Sequence, residues 1–398
     1  MDYLELEEIV RNNIVLLWGM GLIGHTWGYD VLKCAGSDIA GYSDNYGTIS
    51  KTVSEPKLTI EEFTALGKNV PVFVAAREKN HKEIQAQLTG LGINITYFLG
   101  SKFIQNFYRS VDEAGQEIKK KYASIYDDEL FLKRRFEYAM GKKLNLEKPV
   151  GFNEKLQWLK LHDRKPEYSE LVDKYLAKRN VEKKIGEKYI TKTYGLYDDL
   201  YEIQNDRLPS SFVVKCTHDS GTVYICHDKT ELRNKNVREL FASALESNYF
   251  VESREWPYKH LKPRIIVEEY LDDGGLGGIT DYKFFCFSGV VDNVMVVRDR
   301  KLGSPKYYHF SRDWKLLRYN RLGRSLSEDY EEKKPVFIDE MIEIAEYLSK
   351  DIDHVRIDLY EVCGQIYFGE YTFYSCGGYE TGFDEMTDLH LGSLIKSI

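Results

Sequence analysis

The segment Arg356 to Thr372 combines an arginine and two carboxylates at a spacing that suits metal and phosphate chemistry. It reads Arg-Ile-Asp-Leu-Tyr-Glu-Val-Cys-Gly-Gln-Ile-Tyr-Phe-Gly-Glu-Tyr-Thr, which predicts a β-hairpin with a three-residue loop centred on Gly364. Asp358 then lies directly opposite Glu370 on one face of the hairpin. Facing carboxylates repel unless a cation lies between them, and Mg²⁺ binds carboxylates together with substrate phosphates, so the pair is a candidate magnesium site. The alternative is a solvated hairpin with two surface acids and no metal.

Another strand carries a single lysine and leads into a small polar loop. In Phe212-Val-Val-Lys-Cys-Thr-His-Asp-Ser-Gly, alternation places Lys215 on the face opposite Val214 and Cys216. Backbone N–H groups around Ser220 and Gly221 could close over phosphates. A competing use of this region is a zinc site, because four of its residues are of zinc-binding types, but their spacing matches no common zinc module: Cys216, His218, Cys226 and His227.

Acids and a second lysine follow on two later strands. The apolar run Arg264-Ile-Ile-Val-Glu-Glu-Tyr-Leu ends in acids, and such a strand end can offer backbone groups to an adenine edge and a carboxylate to a ribose. Asp281 and Lys283 share one face of the next strand. Arg298, at the end of a further strand, could bind a carboxylate together with Arg300 and Lys301, or the three form an ordinary solvated basic strand end. Lys174 is either a phosphate ligand or a surface lysine, and its sequence context favours the surface.

Composition limits the classes of function that remain. The chain has 398 residues, of which 43% are hydrophobic and 30% charged, which is typical of a folded globular protein with two or three domains. Its net charge of −8 argues against binding to a nucleic-acid backbone. No run of apolar residues is long enough for a transmembrane helix, and the acidic N-terminus differs from a signal peptide, so we expect a cytoplasmic protein. Six cysteines without framework spacing fit a reduced compartment.

The first 105 residues predict a small Rossmann-like domain with a parallel sheet. An apolar strand leads into Gly-Met-Gly-Leu-Ile-Gly, in which Gly19, Gly21 and Gly24 form a GxGxxG pattern, and a second strand ends near Asp44, at the offset where an acid meets a ribose hydroxyl. This pattern indicates a nucleotide or nucleotide-sugar pocket. A domain that has kept the fold without a ligand is an equal alternative, because GxGxxG alone is a weak signal.

Charged helical sequence separates this region from the rest of the chain. Residues 106–150 contain runs of lysine, arginine and glutamate that are typical of solvated helix faces, and they predict a helical connector. Residues 151–398 then form the expected catalytic domain. The predicted fold class is therefore α/β and α+β, with a Rossmann-like domain, a connector and a larger domain in that order.

The order of the motifs in residues 151–398 is that of ATP-grasp ligases: a lysine strand with a flap, an acid-ended hinge strand, a second lysine strand and an Asp…Glu hairpin. In particular the chain resembles the TupA-like ATP-grasp proteins of bacterial capsule and cell-wall polysaccharide clusters. The motifs that carry this resemblance are Phe152-Asn-Glu-Lys-Leu-Gln-Trp-Leu-Lys-Leu, Val172-Asp-Lys-Tyr, Val214-Lys-Cys-Thr-His-Asp-Ser-Gly, Asp281-Tyr-Lys and Arg356-Ile-Asp…Gly369-Glu-Tyr-Thr-Phe.

The resemblance implies a role for each motif residue. ATP phosphates would be bound by Lys174 and Lys215, under a flap that runs from His218 through Ser220 to Gly221. The adenine hinge would be Glu268, Glu269 and the Tyr270 backbone, and Asp281 would meet the ribose beside Lys283. Asp358 and Glu370 would hold Mg²⁺, and Arg356 would offset negative charge at the γ-phosphate. The family pattern has Asn two residues after the metal Glu, whereas this chain has Thr372. Whether the site would hold one or two Mg²⁺ ions is therefore left open.

The implied reaction is ATP-dependent amide formation between a small-molecule carboxylate and an amine, such as a sugar uronate and an amino acid or amino sugar, with polysaccharide assembly enzymes as candidate partners. Three alternatives remain at this point. A glycosyltransferase would use the N-terminal glycine motif, a non-catalytic scaffold would keep nucleotide binding without turnover, and an NAD-dependent oxidoreductase is supported by GxGxxG alone.

Overall fold

The computed structural model of the chain describes residues 1–50, 53–203, 208–276 and 278–398. These residues form two compact units, Met1–Leu144 and Asn145–Ile398. Most of the predicted connector, residues 106–144, therefore lies in unit one, and residues 145–150 lie in unit two. Within the described part of the chain, no helix is both long and apolar enough to cross a membrane.

Unit one is built on a parallel sheet, as the alternation of short apolar runs with helical segments predicts. Its four strands lie in the order β2-β1-β3-β4. Four of the five residues of β1 are buried, because helices cover both faces of a parallel sheet. The strands are β1 Ile14–Trp18, β2 Asp38–Ser43, β3 Val72–Val74 and β4 Thr96–Phe98.

Eight α-helices are described in unit one. A π-helical turn at Gly24–Gly28 runs directly into the second of them. Capping agrees with the local sequence, since the Thr59 hydroxyl accepts a bond from the Glu62 backbone N–H and the Glu62 carboxylate accepts one from the Thr59 backbone N–H. The helices are α1 Tyr3–Arg11, α2 Tyr29–Cys34, α3 Ile60–Gly67, α4 His81–Gly90, α5 Ser101–Ala114, α6 Gln116–Lys121, α7 Ala123–Tyr126 and α8 Asp128–Met140.

Unit two contains two antiparallel sheets. The smaller sheet has the order β5-β8-β6-β7, and the larger has the order β12-β11-β10-β9-β13-β14. The smaller consists of β5 Thr193–Tyr197, β6 Phe212–Cys216, β7 Val223–Cys226 and β8 Ile265–Glu269. The larger consists of β9 Asp281–Phe287, β10 Val290–Arg298, β11 Lys306–Ser311, β12 Leu316–Leu317, β13 His354–Val362 and β14 Gln365–Thr372.

One helix covers an apolar face of the larger sheet and leaves the other face for polar residues. The buried residues Ile342 and Ala345 of α15 belong to the same core cluster as Phe284 and Ile357 of the sheet. Residues that alternate with these, such as Lys283, therefore face the opposite side. The helices of unit two are α9 Phe152–His162, α10 Glu167–Val172, α11 Lys174–Ile185, α12 Lys235–Leu245, α13 Tyr249–Ser253, α14 Arg321–Ser325, α15 Ile338–Leu348 and α16 Glu385–Leu394.

The hairpin of β13 and β14 has the predicted register but a shorter loop. Asp358 pairs with Glu370, as expected, while Val362 pairs with Gln365 and leaves a two-residue loop. Both loop residues, Cys363 and Gly364, have positive φ, at 52° and 83°, which matches the twist of a tight hairpin. A bulge beyond Asp358 shifts the register by one residue and so restores the predicted pairing.

Candidate active site

A continuous row of charged side chains crosses the polar face of the six-stranded sheet. β9 and β13 pair so that Lys283 lies opposite Asp358. The Lys283 ammonium contacts the Asp358 carboxylate and lies 3.8 Å from Asp281 Oδ2. Arg300 Nε in turn donates to Asp281 Oδ2 at 2.7 Å. The row alternates in sign along its length: Arg300, Asp281, Lys283, Asp358, Arg356 and Glu370.

The cation between the two facing carboxylates of the hairpin is the guanidinium of Arg356. Its Nε donates to Asp358 Oδ1 at 2.7 Å and its Nη2 to Asp358 Oδ2 at 2.8 Å. The same Nη2 lies 3.3 Å from Glu370 Oε1 and 3.0 Å from Thr372 Oγ1. The guanidinium therefore offsets the repulsion between the two acids and fixes both side chains on one face.

Burial and charge act in opposite directions on this cluster. Burial alone would raise the pKa of Asp358, but the positive charges of Arg356 and Lys283 outweigh it and lower that pKa to about 2. For Arg356, burial would lower the pKa, and the charges of Asp358 and Glu370 reverse the effect and raise it above its ordinary value. Asp358 and Arg356 are therefore both ionised at neutral pH in the folded protein.

The donor set of the hairpin fits a hard cation such as Mg²⁺. Glu370 has a side chain that is 47% exposed, and its described contacts, with Arg356 and Thr372, both involve Oε1. Asp358 accepts three bonds, whereas an ionised carboxylate has about four lone-pair positions. Oxygen ligands of this kind are those that Mg²⁺ prefers, with substrate phosphates completing its shell.

A second charged cluster lies in the four-stranded sheet. Glu268 of β8 is buried, and Lys215 of β6 reaches its Oε2 with Nζ at 2.7 Å. Lys178 of α11 pairs with Oε1 of the same carboxylate. Burial would raise the pKa of Glu268, but the two lysines lower it to about 2. Of the three side chains, Lys215 is the exposed one, at 31%, against 6% for Lys178 and 5% for Glu268.

The loop after β6 is anchored at its base by Lys174. The Lys174 Nζ donates to the carbonyl oxygens of Cys216 and Asp219, at 2.7 and 2.5 Å. His218 is buried, and one ring nitrogen bonds the Ala244 carbonyl of α12 at 2.9 Å. Burial lowers the pKa of His218, so the ring is held neutral. Ser220 and Gly221 are the exposed residues at the tip of the loop.

Comparison with known protein families identifies the region that contains both clusters. The profile of the family described as TupA-like ATPgrasp matches residues 154–396, which is more than half of the chain. The chain belongs to the TupA-like ATPgrasp family. A search of curated proteins returned no match.

Solved structures that match this chain include ligases. The chain is 13% identical to the D-alanine–D-alanine ligase of Bacillus anthracis, with a TM-score of 0.35, covering 96% of this chain and 95% of that one. For the ATP-grasp ligase PsnB with its minimal precursor, the identity is 10%, the TM-score 0.35 and the coverage 96% and 99%. The D-alanine–D-alanine ligase of Helicobacter pylori is 15% identical at a TM-score of 0.34, and 62% of this chain covers 64% of it. TM-scores of this size carry no conclusion about the site.

Several predicted nucleotide ligands of this TupA-like ATPgrasp chain make contacts with other parts of the protein. The side chain of His218 points to α12, Lys174 bonds loop carbonyls, and Glu268 is enclosed by two lysines. These contacts follow from tertiary packing, which the alternation of a strand does not reveal. Asp281 likewise accepts from Arg300 on the polar face.

The two residues at the end of the hinge strand, Glu269 and Tyr270, are half-buried. Glu269 is half-buried, and its charge adds to burial in raising the pKa of Tyr194 on β5 and of Tyr367 on β14. Tyr270 lies edge-on to His227, with ring centroids 5.3 Å apart. Glu269, at the end of β8, is therefore near enough to β14, the strand that carries Glu370, for its charge to act on Tyr367.

Arg298 lies away from the charged row. The β10 register pairs Val297 with Asp281, so Arg298 alternates to the opposite face, where its Nη2 bonds Glu332 at 3.1 Å. The register therefore places Arg298, a candidate for gripping a substrate carboxylate, on the face opposite Lys283. The arginine that joins the row is Arg300, two residues further along the chain.

The zinc-type residues do not form a metal site. Cys216 is buried in the core of the smaller sheet, and Cys226 donates to the Asp228 carbonyl at 3.0 Å. Among the described residues there is no group of three or more His, Cys, Asp or Glu side chains that could hold a metal ion. The zinc alternative is therefore wrong for these four residues.

The glycine motif of unit one is explained largely by packing. A Cβ at Gly19 would lie 2.8 Å from the Ala75 carbonyl oxygen, and one at Gly24 would lie 2.3 Å from the Gly19 oxygen. A Cβ at Gly21 would meet only the Tyr138 hydroxyl, at 3.8 Å, so this position leaves space. Two of the three glycines are thus needed by the fold whether or not a ligand binds.

Sequence reasoning missed the buried polar residues of α9. Gln157 Nε2 donates to the Gly377 and Gly378 carbonyls at 3.0 and 2.8 Å, and Lys160 Nζ donates to Gly377 at 2.8 Å. They hold the loop after β14, in which Ser375 Oγ lies 3.4 Å from Arg356 Nη1. The available signal was their spacing of three residues, which places both on one helix face.

Proposed function

We propose that this chain is an ATP- and Mg²⁺-dependent carboxylate–amine ligase that releases ADP and phosphate. The observation that carries the proposal is the alternating charged row on the six-stranded sheet, which lies inside the region matched by the family profile. Such a row places fixed positive charge beside two carboxylates of the metal-binding type. This is the environment that stabilises the charge of a transferring phosphoryl group.

The proposed chemistry has two steps. A carboxylate oxygen of the first substrate attacks the γ-phosphorus of ATP, the bond to the β,γ-bridging oxygen breaks, and ADP leaves. The resulting acyl phosphate is attacked at its carbonyl carbon by the amine nitrogen of the second substrate. Phosphate then leaves, the amine loses a proton and an amide forms. The first step replaces oxide, a very poor leaving group, by phosphate.

The roles we assign follow the charges. Lys215 binds ATP phosphates as the exposed cation of its cluster, and Lys283 and Arg356 offset charge at the γ-phosphate and the acceptor carboxylate. Lys174 holds the base of the flap, whose tip at Ser220 and Gly221 supplies backbone N–H groups to the phosphates. Positioning and electrostatics make up most of the protein's contribution.

Asp358 and Glu370 are the residues that would hold Mg²⁺. When bound, the ion would neutralise charge on the β- and γ-phosphates. Arg356 orients both carboxylates through its bonds to each of them. Thr372, at the position where the family pattern has Asn, donates its hydroxyl to Glu370 at 3.1 Å and accepts from Arg356. We therefore propose that Thr372 orients Glu370.

The substrates that we propose are a sugar uronate or amino acid as the carboxylate and an amino sugar or amino acid as the amine. The support is the resemblance of the motifs to those of polysaccharide-cluster proteins. We propose in addition that the reaction takes place in the cytoplasm, where ATP is available. The same proposal includes association of the chain with polysaccharide assembly enzymes.

The test is ADP release with trapping of the acyl phosphate. The native chain is incubated with Mg-ATP and a panel of uronates in the presence of hydroxylamine, and ADP and hydroxamate are measured. We expect equal amounts of both with the correct acid, and neither with Arg356→Ala. Consumption of a sugar nucleotide without ADP would favour a glycosyltransferase, nucleotide binding without turnover would favour a scaffold, and hydride transfer would favour an oxidoreductase.

We also propose that unit one binds a nucleotide or nucleotide sugar near Asp44. Asp44 is 8% exposed, its Oδ1 accepts from the Tyr46 and Thr48 backbone N–H groups, and its Oδ2 is buried with no partner among the described residues. The Gly19 N–H donates to the Ser43 carbonyl, so the acid stands beside the glycine loop. Uridine diphosphate titration of native chain and Asp44→Asn tests this, and equal affinities would contradict it.

A further inference from the structure

The buried carboxylate of Glu268 is shared by two lysines that differ in exposure. Lys178 pairs with Oε1 and Lys215 with Oε2, the latter at 2.7 Å. Lys178 is otherwise fixed by the protein, since its Nζ donates to the Thr191 carbonyl at 2.8 Å and lies 3.4 Å from Thr193 Oγ1. Lys215 has no such second anchor in the bonds described for it, and its side chain is 31% exposed.

The charges of this trio do not cancel. Two ammonium groups and one carboxylate leave a net charge of +1 when all three are ionised; burial lowers the pKa of Lys178, and the charges of Glu268 and Glu269 act against that shift. Lys178 and Glu268 are both buried, with side-chain exposures of 6% and 5%, so the remaining positive charge is presented to a ligand by Lys215 alone. Without Lys178, the buried carboxylate would neutralise Lys215, and an approaching phosphate would meet a neutral pair.

We propose that Lys178 is a positioning residue, which balances Glu268 so that Lys215 keeps its positive charge for a polyphosphate. This inference rests on the proposed function, because it assumes that Lys215 binds ATP. It changes the expected part of Glu268, which orients Lys215 from inside the sheet instead of contacting adenine. It also gives α11 two roles, because Lys174 and Lys178 lie one helical turn apart: Lys174 anchors the loop after β6, and Lys178 pairs with Glu268 of β8.

The register of the sheet explains why the three side chains meet. Val213 pairs with Glu268, and Lys215 lies two residues further along β6, so Lys215 and Glu268 are diagonal neighbours on one face. Lys178 approaches the same face from α11 and also bonds the chain leading into β5. An isolated carboxylate at this depth would carry a large desolvation cost, which two ammonium partners remove.

Removal of the positive charge of Lys178 should weaken ATP binding, and additional removal of the negative charge of Glu268 should restore it. We would titrate Mg-ATP into native chain, Lys178→Met and the double variant Lys178→Met/Glu268→Gln, with thermal unfolding measured for each. In Lys178→Met the trio falls from +1 to 0, and we expect Kd to rise about tenfold to hundredfold. In the double variant the charge returns to +1, and Kd should return to within about threefold of native.

The rescue separates a charge effect from structural damage. If Lys178 only holds the fold together, the double variant binds no better than Lys178→Met and melts no higher, and the inference is overturned. Equal Kd values for native chain and Lys178→Met also overturn it, while leaving the proposed function in place. If native chain itself binds no Mg-ATP, the proposed function fails and the role of Lys178 with it. Lys178→Gln, which keeps more polarity, replaces Lys178→Met if that variant does not fold.

Discussion

Substitution of Asp358 by Asn should destabilise the fold far more than the same change at Glu370. The two carboxylates face each other on one hairpin and share one arginine, so they form a matched pair. They differ in burial, because Asp358 is fully buried and bonded by two cations, whereas the Glu370 side chain is 47% exposed. The neutral amide of Asp358→Asn would leave Arg356 and Lys283 without their shared counter-charge.

The magnitude follows from the pKa. A fall from the ordinary value of 3.8 to about 2 corresponds to about 2.5 kcal/mol of stabilisation at neutral pH, at about 1.4 kcal/mol per pKa unit. Loss of one partner from a buried pair costs about 3–5 kcal/mol, so Asp358→Asn should lose between about 2.5 and 5 kcal/mol. Glu370→Gln should lose less than about 1 kcal/mol, as partly exposed ion pairs do.

The effect of Asp358 should also depend on pH in a defined direction. Because its pKa is lower in the folded state, its stabilisation is complete above the unfolded pKa near 4 and is lost as the pH falls through about 2. The pH-dependent part of the difference in free energy of unfolding between native chain and Asp358→Asn should therefore fall to about half its neutral-pH value at pH 3.

The assay is urea denaturation followed by tryptophan fluorescence and circular dichroism at pH 7, 5 and 3, on native chain, Asp358→Asn and Glu370→Gln. Equal destabilisation by the two substitutions at pH 7 would refute the assignment of Asp358 as the buried centre of the charged row. The same assignment would be refuted if the difference in free energy of unfolding between native chain and Asp358→Asn does not decrease at low pH.

Two further predictions concern residues away from the row. Arg298→Ala should change kcat/KM less than about threefold, because the Arg298 side chain bonds Glu332 on the opposite face of the sheet. Arg356→Ala should lower kcat/KM more than about a hundredfold. Comparable losses of kcat/KM for the two variants in the ADP assay would contradict the placement of Arg298 on the opposite face. The buried rings His309 and His354 have pKa values lowered to about 3 by burial, so the free energy of unfolding of the native chain should decrease as the pH falls from about 6.5 to 3. The decrease should be smaller in His354→Gln. A free energy of unfolding that does not change with pH would contradict the prediction.

Local patterns were enough to predict the frame of the site. The alternation of β9 correctly placed Asp281 and Lys283 on one face, and the register of the last hairpin correctly placed Asp358 against Glu370. The parallel sheet predicted for unit one is also present. These features depend on periods of two residues or on buried apolar runs, which a single sequence contains.

Side-chain partners across elements were beyond the reach of the sequence. The hairpin loop has two residues and not three, because a bulge next to Asp358 compensates, and no local signal announces that bulge. Lys178 lies on a helix some 90 residues from Glu268, and only packing brings them together. The same holds for two candidates for gripping a carboxylate, since Arg300 bonds Asp281 in the row whereas Arg298 bonds Glu332 on the opposite face.

The most direct measurement is a calorimetric titration of Mg-ATP into native chain, Lys215→Ala and Glu370→Gln, with and without Mg²⁺. The two variants change one partly exposed cation and one half-exposed acid, so each should remain folded. We predict magnesium-dependent binding by native chain that is strongly weakened in both variants. Undiminished binding in both would contradict the assignment of the two clusters, and no binding by native chain would contradict the ligase itself.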